Sequence, residues 1–277
     1  MLRLLVSSFL LFLLVSHVGA TEIYQWTDDR GRQIFSDQPA DSAAETIELT
    51  PSSNRYLFNV KRVYDGDTLI LENNQRVRLL GINTPEISSH YREAEPGGIE
   101  ARDWLKNQLS ENQVYLQYDT EKRDRYDRLL AYAWTPDGDF INEKLLQKGL
   151  AALSLKPPNL QYAEQLIAAQ QQAINQQQGI WGDKHYQPRK ITTITETAYR
   201  GWQRWLLTAE SRAQTRDYWV LKVNDKASLR IAKEQQDLFP PLESYLNKSL
   251  EVHGWMSKRG KQYSLFVQHP SAIKVLD

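Results

Sequence analysis

Three short clusters hold the side chains of this sequence that are able to do chemistry. They are Asp65-Gly66-Asp67-Thr68, Arg76-Val77-Arg78-Leu79-Leu80-Gly81-Ile82-Asn83-Thr84-Pro85-Glu86, and Asp124-Arg125-Tyr126-Asp127-Arg128-Leu129-Leu130-Ala131-Tyr132. Taken singly, each has a plain reading. Asp-Gly is a common hairpin turn, an arginine among apolar strand residues is often a surface charge with a buried stem, and the third cluster reads as a solvated turn. The first is not an EF-hand loop, because the later acidic positions are missing. Together they supply what phosphodiester hydrolysis needs. Hard divalent cations want oxygen ligands, which Asp67, Asn83 and the Thr84 carbonyl offer. A carboxylate beside such an ion orients or deprotonates water, and Glu86 is the candidate. Two guanidiniums, Arg78 and Arg128, suit a phosphate whose charge grows in the transition state.

These clusters must be held by a framework, and the hydrophobic pattern predicts one. Strands are expected at 56–64, 68–72 and 76–82, with Val77, Leu79 and Gly81 on one face and Arg76, Arg78 and Leu80 on the other. A helix follows at 98–109, where Ala101, Leu105 and Leu109 share a face. Strands at 114–118 and 129–134 come next, then a short helix at 140–149 ended by glycine and a longer one at 160–174. Strands interleaved with helices in this order predict a small barrel with helices packed outside it.

The 277 residues suit two domains and a small extra module. Apolar residues make up 41% and charged residues 25%, which excludes a mainly disordered, collagen-like or polytopic membrane chain. With no cysteine there is no disulfide, no thiolate zinc site and no cysteine nucleophile. Residues 1–20 read as a secretory signal: Arg3, an apolar run from Leu4 to Val15, then Val18-Gly19-Ala20. Cleavage there would leave a periplasmic or secreted protein without a stable membrane span. Residues 21–50 read as a small hairpin module, with Ile23-Tyr24-Gln25-Trp26 and Gln33-Ile34-Phe35-Ser36 around an Asp28-Asp29-Arg30-Gly31 turn. Such a hairpin is too small to stand alone and should extend by another strand or dock. Linkers are expected at 41–54 and 183–199.

Net charge is zero overall but unevenly spread, at −5 over 21–53, −3 over 54–183 and +7 over 184–277. A basic C-terminal module attracts polyanions, nucleic acid first among them. Strands there are expected at 202–209, 218–223, 228–232, 249–256 and 262–268, with a helical or loop segment at 234–246, which suggests a second, OB-like β-barrel over 199–277. Its aromatics, Tyr218, Trp219, Trp255, Tyr263 and Phe266, are interleaved with Lys222, Arg230, Lys258, Arg259 and Lys261. Such a set stacks bases and tracks a strand, or the aromatics fill a core.

In order and spacing, residues 55–181 resemble the staphylococcal nuclease (thermonuclease) family. The match runs through Val63-Tyr64-Asp65-Gly66-Asp67-Thr68, Arg78 to Glu86, Gly98-Ile99-Glu100-Ala101 and Asp124 to Arg128. It continues through Asn142-Glu143, Gly149-Leu150-Ala151 and Gly179-Ile180-Trp181. The resemblance implies a mainly β fold, a five-stranded OB-type barrel plus helices over 55–183. It also implies a calcium-dependent endonuclease acting on DNA and RNA and leaving 3′-phosphate ends. Asp67 then matches a calcium-ligand aspartate, Glu86 the catalytic glutamate, and Arg78 and Arg128 the phosphate arginines; Arg125 and Tyr126 lie in the same motif and are candidates for nucleic-acid contact. Asn83 stands where the family prototype has a second metal aspartate, so weaker calcium binding, or use of Mg2+ or another divalent ion, is expected. The stretch Leu153 to Asn159 lacks the prototype's tyrosines, which pack near the bound nucleotide. The N-terminal module resembles a small domain of unknown function found in bacterial envelope proteins, and Gly254-Trp255 and His269-Pro270 resemble tails that follow this nuclease domain in some bacterial chains. The leading expectation is an exported, monomeric, metal-dependent, sugar-non-specific nuclease. The alternatives are a catalytically weak nucleic-acid- or protein-binding scaffold, which Asn83 favours, and an adaptor that meets an envelope partner through its N-terminal module.

Overall fold

The computed structural model describes residues 54–88, 94–109, 111–194 and 200–276, together with three N-terminal strands. The signal expected at residues 1–20 lies outside the described residues. The chain divides into two units, Met1–Ser53 and Asn54–Asp277. In the first, β1 (Ile23–Thr27), β2 (Gln33–Ser36) and β3 (Glu45–Ile47) form an antiparallel sheet in the order β2-β1-β3. The expected hairpin is β1 and β2, and the added strand it needed is β3. That strand corrects the linker reading of 41–54, because Glu45-Thr46-Ile47 pairs with β1 despite its Ser- and Ala-rich approach.

The second unit begins with a closed barrel. Its strands are β4 (Arg55–Val63), β5 (Thr68–Leu71) and β6 (Arg76–Leu79), and beyond β7 (Gly81–Asn83) and α1 (Gly98–Gln108), β8 (Gln113–Gln117) and β9 (Leu129–Trp134). They close in the order β4-β5-β6-β9-β8, with β6 and β9 parallel and the other pairs antiparallel. Then follow α2 (Ile141–Gln147), β10 (Ala152–Ser154) and α3 (Ala163–Asn175). Leu69, Val77, Leu79, Leu105, Val114, Leu116 and Ile141 fill the barrel core, all essentially inaccessible to water. Burying each such side chain contributes about 1.5–3 kcal/mol.

Two elements differ from expectation. The strand expected at 76–82 is two strands, broken at Leu80. The Leu80 N–H donates to the Ala131 carbonyl (2.9 Å), and the Asn142 amide donates to the Leu80 carbonyl (2.8 Å). Gly81 then takes φ +74, a conformation open to glycine, and turns the chain so that β7 pairs with β10. Leu80 is buried rather than facing outward with Arg78. The helix expected from 160 starts at Ala163, because residues 161 and 162 are tied to the barrel. The Gln161 N–H donates to Asp119 (3.1 Å) and the Tyr162 hydroxyl to Gln117 (2.9 Å).

The rest of the unit is rich in sheet. It contains β11 (Arg189–Lys190), β12 (Trp202–Thr208), β13 (Ser211–Gln214), β14 (Tyr218–Lys222), β15 (Ala227–Ala232), β16 (Ser249–Arg259), β17 (Gln262–Phe266) and β18 (Ile273–Val275). They form one sheet in the order β11-β12-β16-β17-β15-β14-β13, with β18 on β16. The succession β12-β16-β17-β15-β14 repeats β4-β8-β9-β6-β5 of the first barrel, including its single parallel pair. Among the described residues, however, no β12–β14 pairing closes the ring: β13 takes that edge of β14. The second barrel expected at 199–277 is therefore a sheet in barrel order. The linker expected at 183–199 is partly built as well, since Tyr186 and Ile191 are buried and β11 joins the sheet. A cluster of Ala152, Ala173, Ile180, Trp181, Tyr186 and Trp202 packs the two parts together.

Candidate active site

The Asp65-Gly66-Asp67 turn sits between β4 and β5 and packs against α1 and Thr84. A Cβ on Gly66 would stand 2.6 Å from both Ala101 Cβ and Thr84 Cγ2, so only glycine permits this approach. It brings Asp67, Arg78, Asn83 and Thr84 together. One carboxylate oxygen of Asp67 accepts from the Thr84 N–H (2.8 Å) and hydroxyl (3.2 Å); the other accepts from the Thr68 hydroxyl (3.1 Å) and forms an ion pair with Arg78 Nη1. Arg78 Nη2 donates to Asn83 Oδ1 and to the Ile82 carbonyl, both at 3.0 Å, and the Asn83 amide donates to the Thr84 carbonyl (2.9 Å). The three oxygens expected to hold a metal thus form one connected patch, with the Arg78 guanidinium against two of them.

Among the described residues, no three His, Cys, Asp or Glu side chains converge as a metal cluster. An ion here would depend on Asp67 for charge and on Asn83 and a backbone carbonyl for neutral oxygens. That donor set is hard and all-oxygen, so it fits a calcium- or magnesium-like cation in kind, with less charge than two carboxylates give.

Burial draws the Arg78 guanidinium down to about 10, against the pull of Asp65, so it stays a cation at neutral pH. Burial also pushes the Asp65 carboxyl up, opposed by Arg78. The Glu86 carboxylate is close enough to act on Arg78 by its charge. Its backbone is clamped by Glu95, whose Oε2 accepts from the Glu86 N–H (3.0 Å) while its own N–H donates to the Glu86 carbonyl (2.8 Å). The third cluster is a loop before β9. Asp124 accepts from Arg128 Nε (2.7 Å) and from the N–H groups of Arg128 (3.0 Å) and Tyr126 (2.9 Å). Burial alone would raise the Asp124 carboxyl, but these bonds and the Arg128 charge hold it below its ordinary value. Tyr126 is exposed, with the Arg125 guanidinium 4.7 Å and that of Arg128 5.7 Å from its ring.

A cleft of about 450 Å³ runs between the second and third clusters, lined by Arg78, Arg125, Tyr126, Arg128 and Lys156 among others. Sequence reasoning missed Lys156 and Glu95. Lys156 joins the arginines that line the cleft, and burial lowers its ammonium, with Arg78 and Arg128 lowering it further. Its only signal in the sequence is a lone lysine before Pro157-Pro158. Glu95 lies in an unremarkable Glu-Ala-Glu-Pro-Gly-Gly run.

Of the C-terminal candidates, Trp255 is exposed, Lys222, Arg259 and Lys261 are exposed, and Arg230 and Lys258 are half-buried. Phe266 is also exposed. Trp219 is not grouped with them: it pairs in register with the fully buried Ile231, packs on the core and donates to Gln236 (2.6 Å). Tyr263 is buried in the core.

A closed five-stranded barrel thus carries a cleft lined by Arg78 and Arg128, with Asp67 paired to Arg78 and the Glu86 charge acting on it. The family model for staphylococcal nuclease homologues matches residues 76–183, and that for a domain of unknown function, DUF4124, matches residues 10–55. The chain is 38% identical over 135 residues to a thermonuclease of Staphylococcus hyicus, covering 48% of this chain and 79% of that one. It is 41% identical over 127 residues to a thermonuclease of Staphylococcus intermedius, covering 45% and 75%. It is 34% identical over 146 residues to Endonuclease YncB of Bacillus subtilis, covering 50% and 69%. The chain belongs to the staphylococcal nuclease homologue family, and these relatives support a nuclease.

Proposed function

We propose that this protein is an exported, metal-dependent endonuclease that hydrolyses phosphodiester bonds in both DNA and RNA and leaves 3′-phosphate and 5′-hydroxyl ends. The observation that carries this reading is the single cleft that Arg78 and Arg128 line, with the Glu86 charge acting on Arg78 and the Asp67–Thr84 patch beside it. Arg78 and Arg128 hold the scissile phosphate and stabilise the charge that accumulates on its oxygens. Lys156 adds positive field without a fork geometry. Glu86 orients the attacking water and receives its proton, while Glu95 keeps the Glu86 backbone in place. The water oxygen bonds to phosphorus as its proton passes to Glu86, the bond to the 5′ oxygen breaks, and that oxygen takes a proton from solvent. Calcium, held by Asp67, Asn83 Oδ1 and the Thr84 carbonyl, would supply charge stabilisation and water alignment when bound.

Export rests on residues 1–20 and on the secretory pattern there. No helix among the described residues is long and apolar enough to cross a membrane. A monomer in solution, and an envelope partner for the 21–50 module, complete the reading. The catalytically weak scaffold keeps one observation in its favour: Asn83 lacks a charge and Arg78 already engages Asp67 and Asn83. Cleavage of single-stranded DNA, duplex DNA and RNA with calcium, with magnesium and with chelator separates the two. Ion-dependent cleavage of all three supports the enzyme, and binding without cleavage supports the scaffold.

A further inference from the structure

A second groove, of about 320 Å³, lies between the 153–156 segment of the nuclease part and the outer side of the C-terminal sheet. Ser154 and Lys156 line both this groove and the active cleft, so the two are adjacent. No carboxylate lines the second groove among the described residues, and Lys156 stands at the junction. Its far wall has an ordered pattern. Met256 pairs with Leu265 and Arg230 with Phe266, so Trp255, Phe266 and Arg230 fall in one row across β16, β17 and β15. Trp255 is 41% and Phe266 46% exposed, while their neighbours Met256 and Leu265 point into the core. The Arg230 guanidinium lies 5.9 Å from the Phe266 ring, its Nε is buried without a hydrogen bond, and Tyr218 meets Phe266 edge-on at 5.5 Å. In the next row, Ser257, Ser228 and the exposed Lys222 flank the buried Ser264, whose hydroxyl meets that of Ser228.

We infer that the strand being cut leaves the active cleft past Ser154 and Lys156 and continues across this sheet as a single strand, its bases stacking on Trp255 and Phe266. The inference rests on the nuclease reading for the cleft and adds the path. Exposed aromatic faces beside an arginine and free of acidic groups are what a single-stranded nucleic acid requires, and stacked bases of a duplex have no faces to offer them. The +7 charge of residues 184–277 attracts that polyanion. The groove also takes over base contact where Leu153 and Leu155 leave the 153–159 segment without aromatic side chains.

The test compares the full chain with the Trp255→Ala/Phe266→Ala double variant, and with Trp219→Ala as a control on the opposite face. Two readouts are needed: affinity for a fluorescent single-stranded deoxythymidine oligonucleotide of about 16 nucleotides in chelator, and cleavage of that strand and of a dinucleotide with calcium. We expect the double variant to bind the long strand about tenfold more weakly or worse. Its KM for that strand should rise accordingly, with kcat and dinucleotide cleavage unchanged and duplex binding little affected. Trp219→Ala should bind like the parent. An active double variant that binds and cuts the long strand like the parent overturns the path and leaves the nuclease reading intact. Equal loss on the dinucleotide, from protein of native circular dichroism, also overturns it, because the residues then act through the fold. A parent chain that cuts nothing yet loses strand affinity on Trp255→Ala/Phe266→Ala supports the path for binding and overturns the nuclease reading.

Discussion

At the scale of the residue, the proposed division of labour makes distinct demands on each side chain. Glu86→Gln keeps the shape and removes the base, so kcat should fall by about 10²–10⁴ with the KM little changed. Arg128→Lys keeps a positive charge but loses the fork that Asp124 now positions, so it should fall nearly as far as Arg128→Ala, by about 10²–10³. Steady-state kinetics on a single-stranded substrate checks both, and an Arg128→Lys variant of parental activity would contradict the role. Asn83→Asp restores a second charge beside Asp67. Calorimetric calcium affinity should rise by about tenfold or more, and unchanged affinity would remove Asn83 from the metal set. These residues were legible in the sequence because each lies in a short motif with its own local geometry. Lys156 and Glu95 were not, because tertiary packing alone brings a lysine from beyond β10 and a glutamate from an irregular loop to the site.

At the scale of the element, the site depends on two tight junctions. The first is the Asp-Gly-Asp turn pressed on α1 and Thr84. Gly66→Ala forces Thr84 or Ala101 to move, so the protein should lose about 1–3 kcal/mol of stability and most of its activity. Thermal unfolding together with the cleavage rate measures this, and full activity in Gly66→Ala would show that the approach is not needed. The second is the break at Leu80. Asn142, fully buried, accepts from the Ala133 N–H (2.9 Å) and donates to the Leu80 carbonyl (2.8 Å), and so ties α2 to β9 and to the junction between the strands that carry Arg78 and Asn83. Asn142→Leu leaves both backbone groups unpaired and should cost about 1–3 kcal/mol in urea unfolding. Alternation and helical periodicity located the barrel strands and helices to within a few residues. They did not show that 76–82 is two strands, since the break is made by Gly81 and by the side chain of Asn142, 62 residues beyond Leu80. The short β10, β11, β13 and β18 were missed for the same reason: each is set by its partner strand and has no hydrophobic period of its own.

At the scale of the whole molecule, the nuclease barrel and the C-terminal sheet are one packed unit, and a buried ionic group lies near their junction. Glu251 accepts from Arg204 (2.6 Å) and is bonded to His253 (2.7 Å), and the rings of Trp181 and Trp202 lie beside His253. Burial alone would raise the Glu251 carboxyl. The hydrogen bonds from His253 and Arg204, with the Arg204 charge, hold it instead at about 2. A carboxyl depressed in the folded state gives stability that is present above its unfolded value and lost as the pH falls through the folded one. The parent chain should therefore lose about 2 kcal/mol of stability from this group between pH 4.5 and about 2. Glu251→Gln should flatten that part of the profile, and an equally steep profile would remove Glu251 as its source. The basic C-terminal third was legible from charge counting alone, and its five main strands from alternation. That its aromatics divide into an exposed row and a core set was not, because the two sets alternate along strands whose pairing only the fold determines.

In the proposed function, the cleft lined by Arg78 and Arg128, with Asp67 and Glu86 acting beside Arg78, cuts phosphodiester bonds with the help of a divalent ion. The most direct measurement is cleavage of single-stranded DNA, duplex DNA and RNA by the purified full chain, with calcium and with chelator, beside Glu86→Gln and Arg128→Ala. Calcium-dependent cleavage of all three substrates that collapses in chelator and in both variants is the predicted result. Cleavage by the parent that survives chelator and both substitutions, or a folded parent that binds nucleic acid and cuts none of it, would contradict the account.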